Sequence, residues 1–264
     1  MSVLRLIQFT DPHLYGNEAE TLRGIATLPA LKAALAWARS SSNWPPTALL
    51  VTGDIVQDDP RGYAHLRHLL GSLGLPVLCI PGNHDEPQAM RRELAGAPFI
   101  LGGVADFASW RIVLLDSCLP GSASGRLSAQ SLQQLEQALQ SAQGRHCLVT
   151  LHHHPVPMSS RWLDQVGLEN ATEFFDILDR HRNVRAVVWG HVHQAYEGLR
   201  KDVRLLATPS TCAQFLPHAD EFAVDRRPPA YRTFELRADG SVLTEVVWAD
   251  KNAAGSSRSA CSAA

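Results

Sequence analysis

Short polar blocks of histidine, aspartate and asparagine recur along the chain, and each directly follows an apolar run. Such side chains do not fill a hydrophobic core, and burying them without partners costs free energy. Imidazole nitrogens and carboxylate or amide oxygens are, however, suitable ligands for divalent transition metals. Each block alone could be a polar turn, but five in succession predict a shared metal site. The blocks are Asp11-Pro12-His13, Gly53-Asp54, Gly82-Asn83-His84-Asp85, His152-His153-His154 and Gly190-His191-Val192-His193.

The segments that must position these blocks alternate between two hydrophobic periods. Apolar, β-branched runs typical of buried strands lie at 3–9, 48–51, 77–80, 112–115, 148–151 and 184–189. Helical periodicity begins near Pro29, after Asp59-Pro60, from Ser128 and after Asn170. This alternation predicts a layered α/β fold, because each sheet face needs helices to cover it. Strand-like runs without long helices follow at 196–199, 203–207, 231–236 and 242–248, where we expect antiparallel hairpins.

The polar blocks stand at the carboxyl ends of predicted strands. In an open α/β sheet these ends lie at one edge, so loops that are distant in sequence can converge on a single crevice. A length of 264 residues with 45% hydrophobic content suffices for one well-filled core. We therefore expect one domain over 1–250, with two smaller domains as the alternative. The small polar residues at 251–264 predict a disordered tail without function.

The charge balance argues against a nucleic-acid partner. The chain has 24 Lys+Arg and 26 Asp+Glu, a formal net charge of -2, and no basic block.

The opening residues turn polar too early for a secretory signal, and no apolar run approaches the ~20 residues of a membrane span. We therefore expect a cytoplasmic protein without a membrane partner. No recognisable motif encodes an oligomeric state.

Five cysteines, at 79, 118, 147, 212 and 261, include no C-x-x-C pair. Those at 79 and 147 lie within apolar runs, as is typical of buried thiols in a reducing compartment. We therefore expect free thiols, and any metal must be bound through nitrogen and oxygen.

Together, the five blocks resemble the signature of the calcineurin-like metallophosphoesterases. Further segments resemble, within that superfamily, the bacterial class III cyclic AMP phosphodiesterases, and the resemblance extends over roughly residues 3 to 249. These segments read HHHPVP, WLDQ, TPSTCAQF and YRTFELRADG. The resemblance implies an αββα sandwich, in which two mixed β-sheets are flanked by helices.

The resemblance also implies two adjacent metal ions, divalent or mixed-valence, with iron or manganese favoured over zinc or cobalt. Asp54 would bridge both ions. If the register of the triple histidine were shifted by one, His153 would replace His152 as a ligand. The first ion would be held by Asp11, His13 and His193, and the second by Asn83, His152 and His191.

The implied reaction is hydrolysis of a small cyclic nucleotide, 3′,5′-cyclic AMP, to 5′-AMP, which would end a second-messenger signal. A water molecule activated by the metals would attack phosphorus. His84 would assist the leaving oxygen, and Asp85 would hold the other ring nitrogen of His84. Two alternatives remain: a broad phosphodiesterase of small diesters, and a metal-free binding module with the same fold.

Aromatic side chains in the expected pocket have two interpretations. Trp162 or Phe215 could stack on a purine, or could anchor the packing of the loops that carry them. The predicted pocket walls are 121–127, 159–165 and 209–218.

Overall fold

Two mixed β-sheets of six strands each face one another, and helices pack on their outer surfaces. The computed structural model describes residues 3–249. This architecture is the αββα sandwich that the sequence resemblance implied, and the predicted α/β class is confirmed. The tail predicted at 251–264 lies outside the described residues.

The helices and strands are numbered in chain order. The helices are α1 Thr27–Arg39, α2 Tyr63–Gly71, α3 Pro87–Glu93, α4 Ala129–Gln140 and α5 Ala171–Leu178. A short 3-10 turn, Pro60–Gly62, leads into α2. The strands are β1 Leu4–Phe9, β2 Thr21–Leu22, β3 Ile25–Ala26, β4 Ala48–Thr52, β5 Val77–Ile80, β6 Phe99–Leu101, β7 Gly103–Phe107, β8 Trp110–Leu114, β9 His146–Thr150, β10 Val184–Trp189, β11 Tyr196–Arg200, β12 Val203–Ala207, β13 Gln214–Phe215, β14 Val224–Asp225, β15 Ala230–Leu236 and β16 Val242–Trp248.

Parallel strands form the centre of both sheets. The first sheet has the order β16-β15-β1-β4-β5-β6, and the second has the order β11-β12-β10-β9-β8-β7. Strands β1, β4 and β5 run parallel in the first sheet, as do β8, β9 and β10 in the second. The predicted antiparallel hairpins are present as β11–β12 and β15–β16, and each completes a different sheet. The carboxyl ends of the parallel strands therefore carry the polar blocks.

Successive side chains of the central strands point to opposite faces of the sheet and pack in different hydrophobic clusters. In β4, Leu50 belongs to the cluster between the sheets together with Leu148 of β9. Its neighbours Leu49 and Val51 belong to the outer cluster that includes Leu31 of α1. All five side chains are fully buried. A strand that is covered on both faces has apolar residues at successive positions. The position of β4 was therefore predictable from the sequence.

Strands β6 and β7 and helix α3 were not predicted from the sequence. They contain only three, five and seven residues, respectively. Each of them buries only one or two residues, so none has the continuous apolar run that made the four-residue strand β5 predictable. Strands β6 and β7 form the outer edges of the two sheets, and α3 follows the block that contains His84.

Two further findings concern membrane-spanning helices and cysteines. Between residues 3 and 249, no helix has both the length and the apolar character needed to cross a bilayer. Cys79, Cys118, Cys147 and Cys212 are free thiols, as expected.

Candidate metal centre

Loops from both sheets meet at one end of the sandwich. Asp11 follows β1 and Asp54 follows β4 in the first sheet, while His152 follows β9 in the second. Ligand atoms of these three buried residues lie within 4.8 Å of one another. The predicted convergence is therefore present, but it occurs between two facing sheets and not along the edge of one.

The first group of predicted ligands consists of Asp11, His13 and His193. Nε2 of His193 lies 3.1 Å from Nε2 of His13 and 3.5 Å from Oδ1 of Asp11. Nδ1 of His193 is 2.7 Å from the backbone carbonyl of Ala213, which can only accept a hydrogen bond. In the neutral ring the lone pair of Nε2 therefore faces the other two side chains, as metal binding requires.

The second group consists of Asn83, His152 and His191. Nδ1 of His152 donates to the backbone carbonyl of Thr52 at 2.8 Å, and its Nε2 lies 3.3 Å from Oδ1 of Asn83. Nε2 of His191 donates to the carbonyl of Val166 at 3.0 Å, which leaves Nδ1 as the nitrogen with a lone pair. Backbone carbonyls thus select the nitrogen of each ring that can bind a metal.

Asp54 lies between the two groups. Its Oδ2 atom is 3.7 Å from Nε2 of His13 and 3.4 Å from Nε2 of His152. Its Oδ1 atom accepts a hydrogen bond of 2.9 Å from the backbone N–H of His84. A carboxylate in this position can bind an ion on each side, so the geometry supports the bridging role expected for Asp54.

The carboxylates and imidazoles of this centre shift one another's pKa values. Burial lowers the pKa of His13 to about 4, which keeps that ring neutral. Burial also disfavours the charged form of His152, but the charge of Asp54 outweighs it and raises the pKa of His152 to about 9. The pKa of Asp54 lies well below its usual range because, despite burial, His152 stabilises the carboxylate. The pair thus attracts a proton to a position where a metal ion would replace it.

Of the three consecutive histidines, His152 is the one that faces Asp54. Nδ1 of His153 lies 2.8 Å from Oγ of Ser117, and the ring centre of His153 is 4.7 Å from that of His191. His154 stacks on His191 with 5.6 Å between ring centres. Neither nitrogen of His154 has a hydrogen-bond partner in the part of the chain that is described. Ligand atoms of His152, His153 and His191 lie within 4.8 Å of one another, and the contact with Asp54 is what distinguishes His152.

His84 is oriented by residues that the sequence analysis did not identify. Its Nδ1 atom lies 3.0 Å from Oδ2 of Asp58, and the amide of Gln57 donates to the same oxygen at 2.7 Å. The amide nitrogen of Gln57 also lies 2.9 Å from Nδ1 of His84. Both contacts engage Nδ1, so Nε2 remains for another partner. One ring nitrogen of His84 lies within 4.8 Å of ligand atoms of His13 and Asp54. The only signal for Asp58 in the sequence is its position in the same loop as Asp54.

The structure contradicts the predicted pairing of Asp85 with the His84 ring. The Asp85 carboxylate instead accepts hydrogen bonds of 2.8 to 3.2 Å from four donors, the backbone N–H groups of Ile55, Val56 and Gly82 and the hydroxyl of Tyr63. These buried donors would lack partners without it. Asp85 therefore ties the loop that carries Asp54 to the loop that carries Asn83.

Five of the predicted ligands have a left-handed backbone conformation. The φ angles are 52° at Asp11, 47° at His13, 46° at Asp54, 66° at His191 and 48° at His193. Such angles are uncommon outside glycine and cost of order 1–3 kcal/mol each. They persist where surrounding contacts impose them, as the hydrogen bonds to these residues do here.

Glycines allow the loops to approach closely. A Cβ atom at Gly82 would collide with the side chains of Asp54 and His152, and one at Gly190 would collide with those of Thr10 and Asp11. Both glycines precede predicted ligands in their blocks, so they leave room for the donor atoms to converge.

An aromatic cluster covers the first group of ligands. Phe215 stacks on His193 with 4.0 Å between ring centres and 4° between ring planes. Trp162 and Phe222 pack edge-on against Phe215. Because the ring of His193 occupies one face of Phe215 and two further aromatic rings pack against it, the contacts support the packing interpretation of this residue.

A cavity of about 460 Å³ opens beside Asn83 and His84. The loops that follow β4, β5 and β8 bound it, so it lies where loops from the two sheets meet. Of the predicted wall segments, 121–127 contributes Gly121, whereas 159–165 and 209–218 do not line this cavity. Its volume is in the range of ~300–1,000 Å³ that small-molecule sites occupy.

The chemistry of the donor set fits divalent metal ions. Imidazole nitrogens are combined with two carboxylates, Asp11 and Asp54, and with the neutral amide of Asn83. No thiolate takes part in the metal-ligand groups formed by residues 3–249. Nitrogen and oxygen ligands of this kind suit first-row transition metals better than calcium.

Comparisons with known proteins agree with this geometry. The chain is 39% identical to the 3′,5′-cyclic adenosine monophosphate phosphodiesterase CpdA of Pseudomonas aeruginosa, over 91% of this chain and 88% of that protein. It is also 39% identical to the protein of the same name from Escherichia coli K12, over 92% and 89% of the two chains. A solved dimetal phosphatase from Danio rerio shares the fold, with a TM-score of 0.65 and 16% identity over 92% of this chain and 99% of that one.

The family described as calcineurin-like phosphoesterase matches residues 4–195, a range that includes all five polar blocks. The resemblance inferred from these blocks is therefore confirmed. The chain belongs to the calcineurin-like phosphoesterase family, whose members are metal-dependent hydrolases.

Proposed function

We propose that this protein hydrolyses 3′,5′-cyclic AMP to 5′-AMP at a dinuclear metal centre. The observation that carries the proposal is the complete set of donor side chains, in which Asp54 contacts both groups of ligands. The choice of substrate is supported by the 39% identity to CpdA phosphodiesterases over about nine-tenths of the chain.

The bound ions would polarise the phosphate and lower the pKa of a water molecule so that it can attack phosphorus. Asp54 would bridge them. Iron and manganese are the ions we favour for these nitrogen and oxygen ligands, with zinc or cobalt as alternatives. Asp11, His13 and His193 would hold the first ion, and Asn83, His152 and His191 the second.

His84 makes the main contribution of the chain to bond cleavage. Hydrolysis forms a bond from phosphorus to the water oxygen and breaks the bond from phosphorus to O3′ of the ribose, which needs a proton. Nδ1 contacts Asp58, so Nε2 is the nitrogen that can reach this oxygen, and it carries the proton to be donated when the ring is in the imidazolium form. Because a ribose alkoxide is a poor leaving group, general-acid assistance is worth about 10²–10⁴ in rate. The side chain is 34% exposed, which allows it to exchange protons with solvent.

Product analysis tests the proposal. Purified protein with Mn²⁺ or Fe²⁺ should convert 3′,5′-cyclic AMP to 5′-AMP only when metal is present, and the His84→Ala variant should lose this activity. Turnover of bis(p-nitrophenyl) phosphate without formation of 5′-AMP would replace the proposal with a broad diester hydrolase. No turnover of either compound by protein incubated with the metals would support the alternative of a metal-free binding module.

A further inference from the structure

We propose that the cavity beside His84 binds the nucleoside of the substrate, and that Asp116 accepts a hydrogen bond from an amino group of the base. This inference rests on the proposed function and adds a basis for substrate selection. None of the predicted ligand positions is involved except Asn83, at the boundary of the cavity.

The position of the cavity determines which part of a substrate can occupy it. The phosphate of a bound diester must lie at the metal centre, because the ions and the attacking water act on phosphorus. Asn83 and His84 border both the centre and the cavity. A substrate held by its phosphate therefore extends its remaining atoms into this adjoining space.

The walls suit an uncharged, partly apolar group. Pro60, Leu119 and Pro120 supply apolar surface, which can pack against the flat face of a base. Lysine and arginine are absent from the residues that line the cavity, whereas four carboxylates are present: Asp58, Asp85, Glu86 and Asp116. A second phosphate group would be repelled there, so the walls favour a nucleoside over a polyphosphate or a continuing nucleic-acid strand.

Asp116 is held in place for a polar contact. It follows β8, is half-buried, and accepts a hydrogen bond of 2.9 Å from the backbone N–H of Cys118 through Oδ1. A carboxylate has about four acceptor positions, so it can receive a further donor from a ligand. Adenine presents an amino group at C6, whereas hypoxanthine presents a carbonyl oxygen there. A carboxylate facing that position favours adenine, because two acceptors facing each other cannot form a hydrogen bond.

Comparison of 3′,5′-cyclic AMP with 3′,5′-cyclic IMP tests this site. The wild-type enzyme should prefer cyclic AMP in kcat/KM by about 10-fold or more, the scale expected for a hydrogen bond to a charged group. Asp116→Asn should remove most of this preference, since the amide can also donate to the carbonyl of hypoxanthine. Its effect on bis(p-nitrophenyl) phosphate, which has no base, should be much smaller.

Two further variants separate base binding from general damage. Glu86→Gln neutralises an exposed carboxylate of the same cavity and should change the preference between the nucleotides far less than Asp116→Asn. Leu119→Ala should raise KM for both nucleotides more than for the base-free diester. Equal losses on all three substrates for the Asp116 and Leu119 variants would overturn the inference and leave the proposed function intact.

Binding of 5′-AMP and 5′-IMP to the metal-loaded wild-type protein, measured by calorimetry, makes the same comparison without turnover. Tighter binding of 5′-AMP that Asp116→Asn abolishes supports the base site even if cyclic AMP is not hydrolysed. Equal affinities for the two nucleotides would overturn it.

Discussion

Nδ1 of His84 lies 3.0 Å from Oδ2 of Asp58, and this contact leaves Nε2 as the nitrogen that is free to act on a substrate. We expect Asp58→Asn to lower kcat for cyclic AMP by about 10–100-fold, because the amide lacks the negative charge of the carboxylate and can donate to Nδ1, which favours the other tautomer. Steady-state kinetics would measure this loss. Asp202→Asn, which changes an exposed carboxylate in the turn between β11 and β12, is the control. A wild-type kcat for the Asp58 variant would contradict this role.

His84→Ala should affect substrates according to their leaving groups. Hydrolysis of cyclic AMP should fall by about 10²–10⁴, whereas a p-nitrophenyl ester, whose leaving group needs no proton, should lose much less. The measurement is kcat/KM for both substrates with the same metal loading. Equal losses would instead indicate that His84 positions the phosphate or stabilises charge.

Removal of the Asp54 carboxylate should empty the metal centre. Asp54 contacts His13 in one group of ligands and His152 in the other, so Asp54→Ala should lose most of the bound metal of both groups. Elemental analysis after dialysis would show this. Asp59→Asn is a matched control, because Asp59 is also in a loop but pairs with Arg61. Near-normal metal content in the Asp54 variant would exclude a bridging role.

Asp85→Asn should destabilise the fold without touching the metal ligands directly. The carboxylate accepts from four donors, and an amide cannot satisfy all of them, so the free energy of unfolding should fall by about 1–3 kcal/mol. Tyr63→Phe removes a single hydrogen bond and should cost less. Urea denaturation would rank the two variants, and a Tyr63 variant that is less stable than the Asp85 variant would contradict this order.

The same carboxylate should impose a pH dependence on the stability of the metal-free protein. Burial, together with the charge of Asp54, raises the pKa of Asp85 from 3.8 to about 6. The native state therefore binds this proton more tightly than the unfolded state. The resulting contribution to stability is fully present below pH 3.8 and is lost as the pH rises through about 6. Between these limits, plots of the unfolding free energy against pH should differ in slope between wild type and Asp85→Asn. Parallel plots would refute the pKa shift.

Local signals predicted much of the fold. The strands at 77–80 and 184–189 have the predicted bounds, because both are apolar runs, apart from Arg185, and both are followed by turn residues. Helix α4 begins after Ser128, whose hydroxyl caps the N–H of Ser131 at 3.0 Å, as its residue type suggested. The pairing of strands across each sheet was not predictable, because it depends on contacts between residues far apart in the chain.

The sequence alone determined the types and order of the donor side chains and their places after strands, because strand periodicity and the polar blocks are local patterns. The tertiary structure decided how each donor is used. Thr52 selects the nitrogen of His152 from 100 positions away, and Ala213 selects that of His193 from 20 positions away. Asp58, and not Asp85, orients His84 for a related physical reason. Hydrogen-bond partners are chosen by distance in space, and only the folded chain brings them into range.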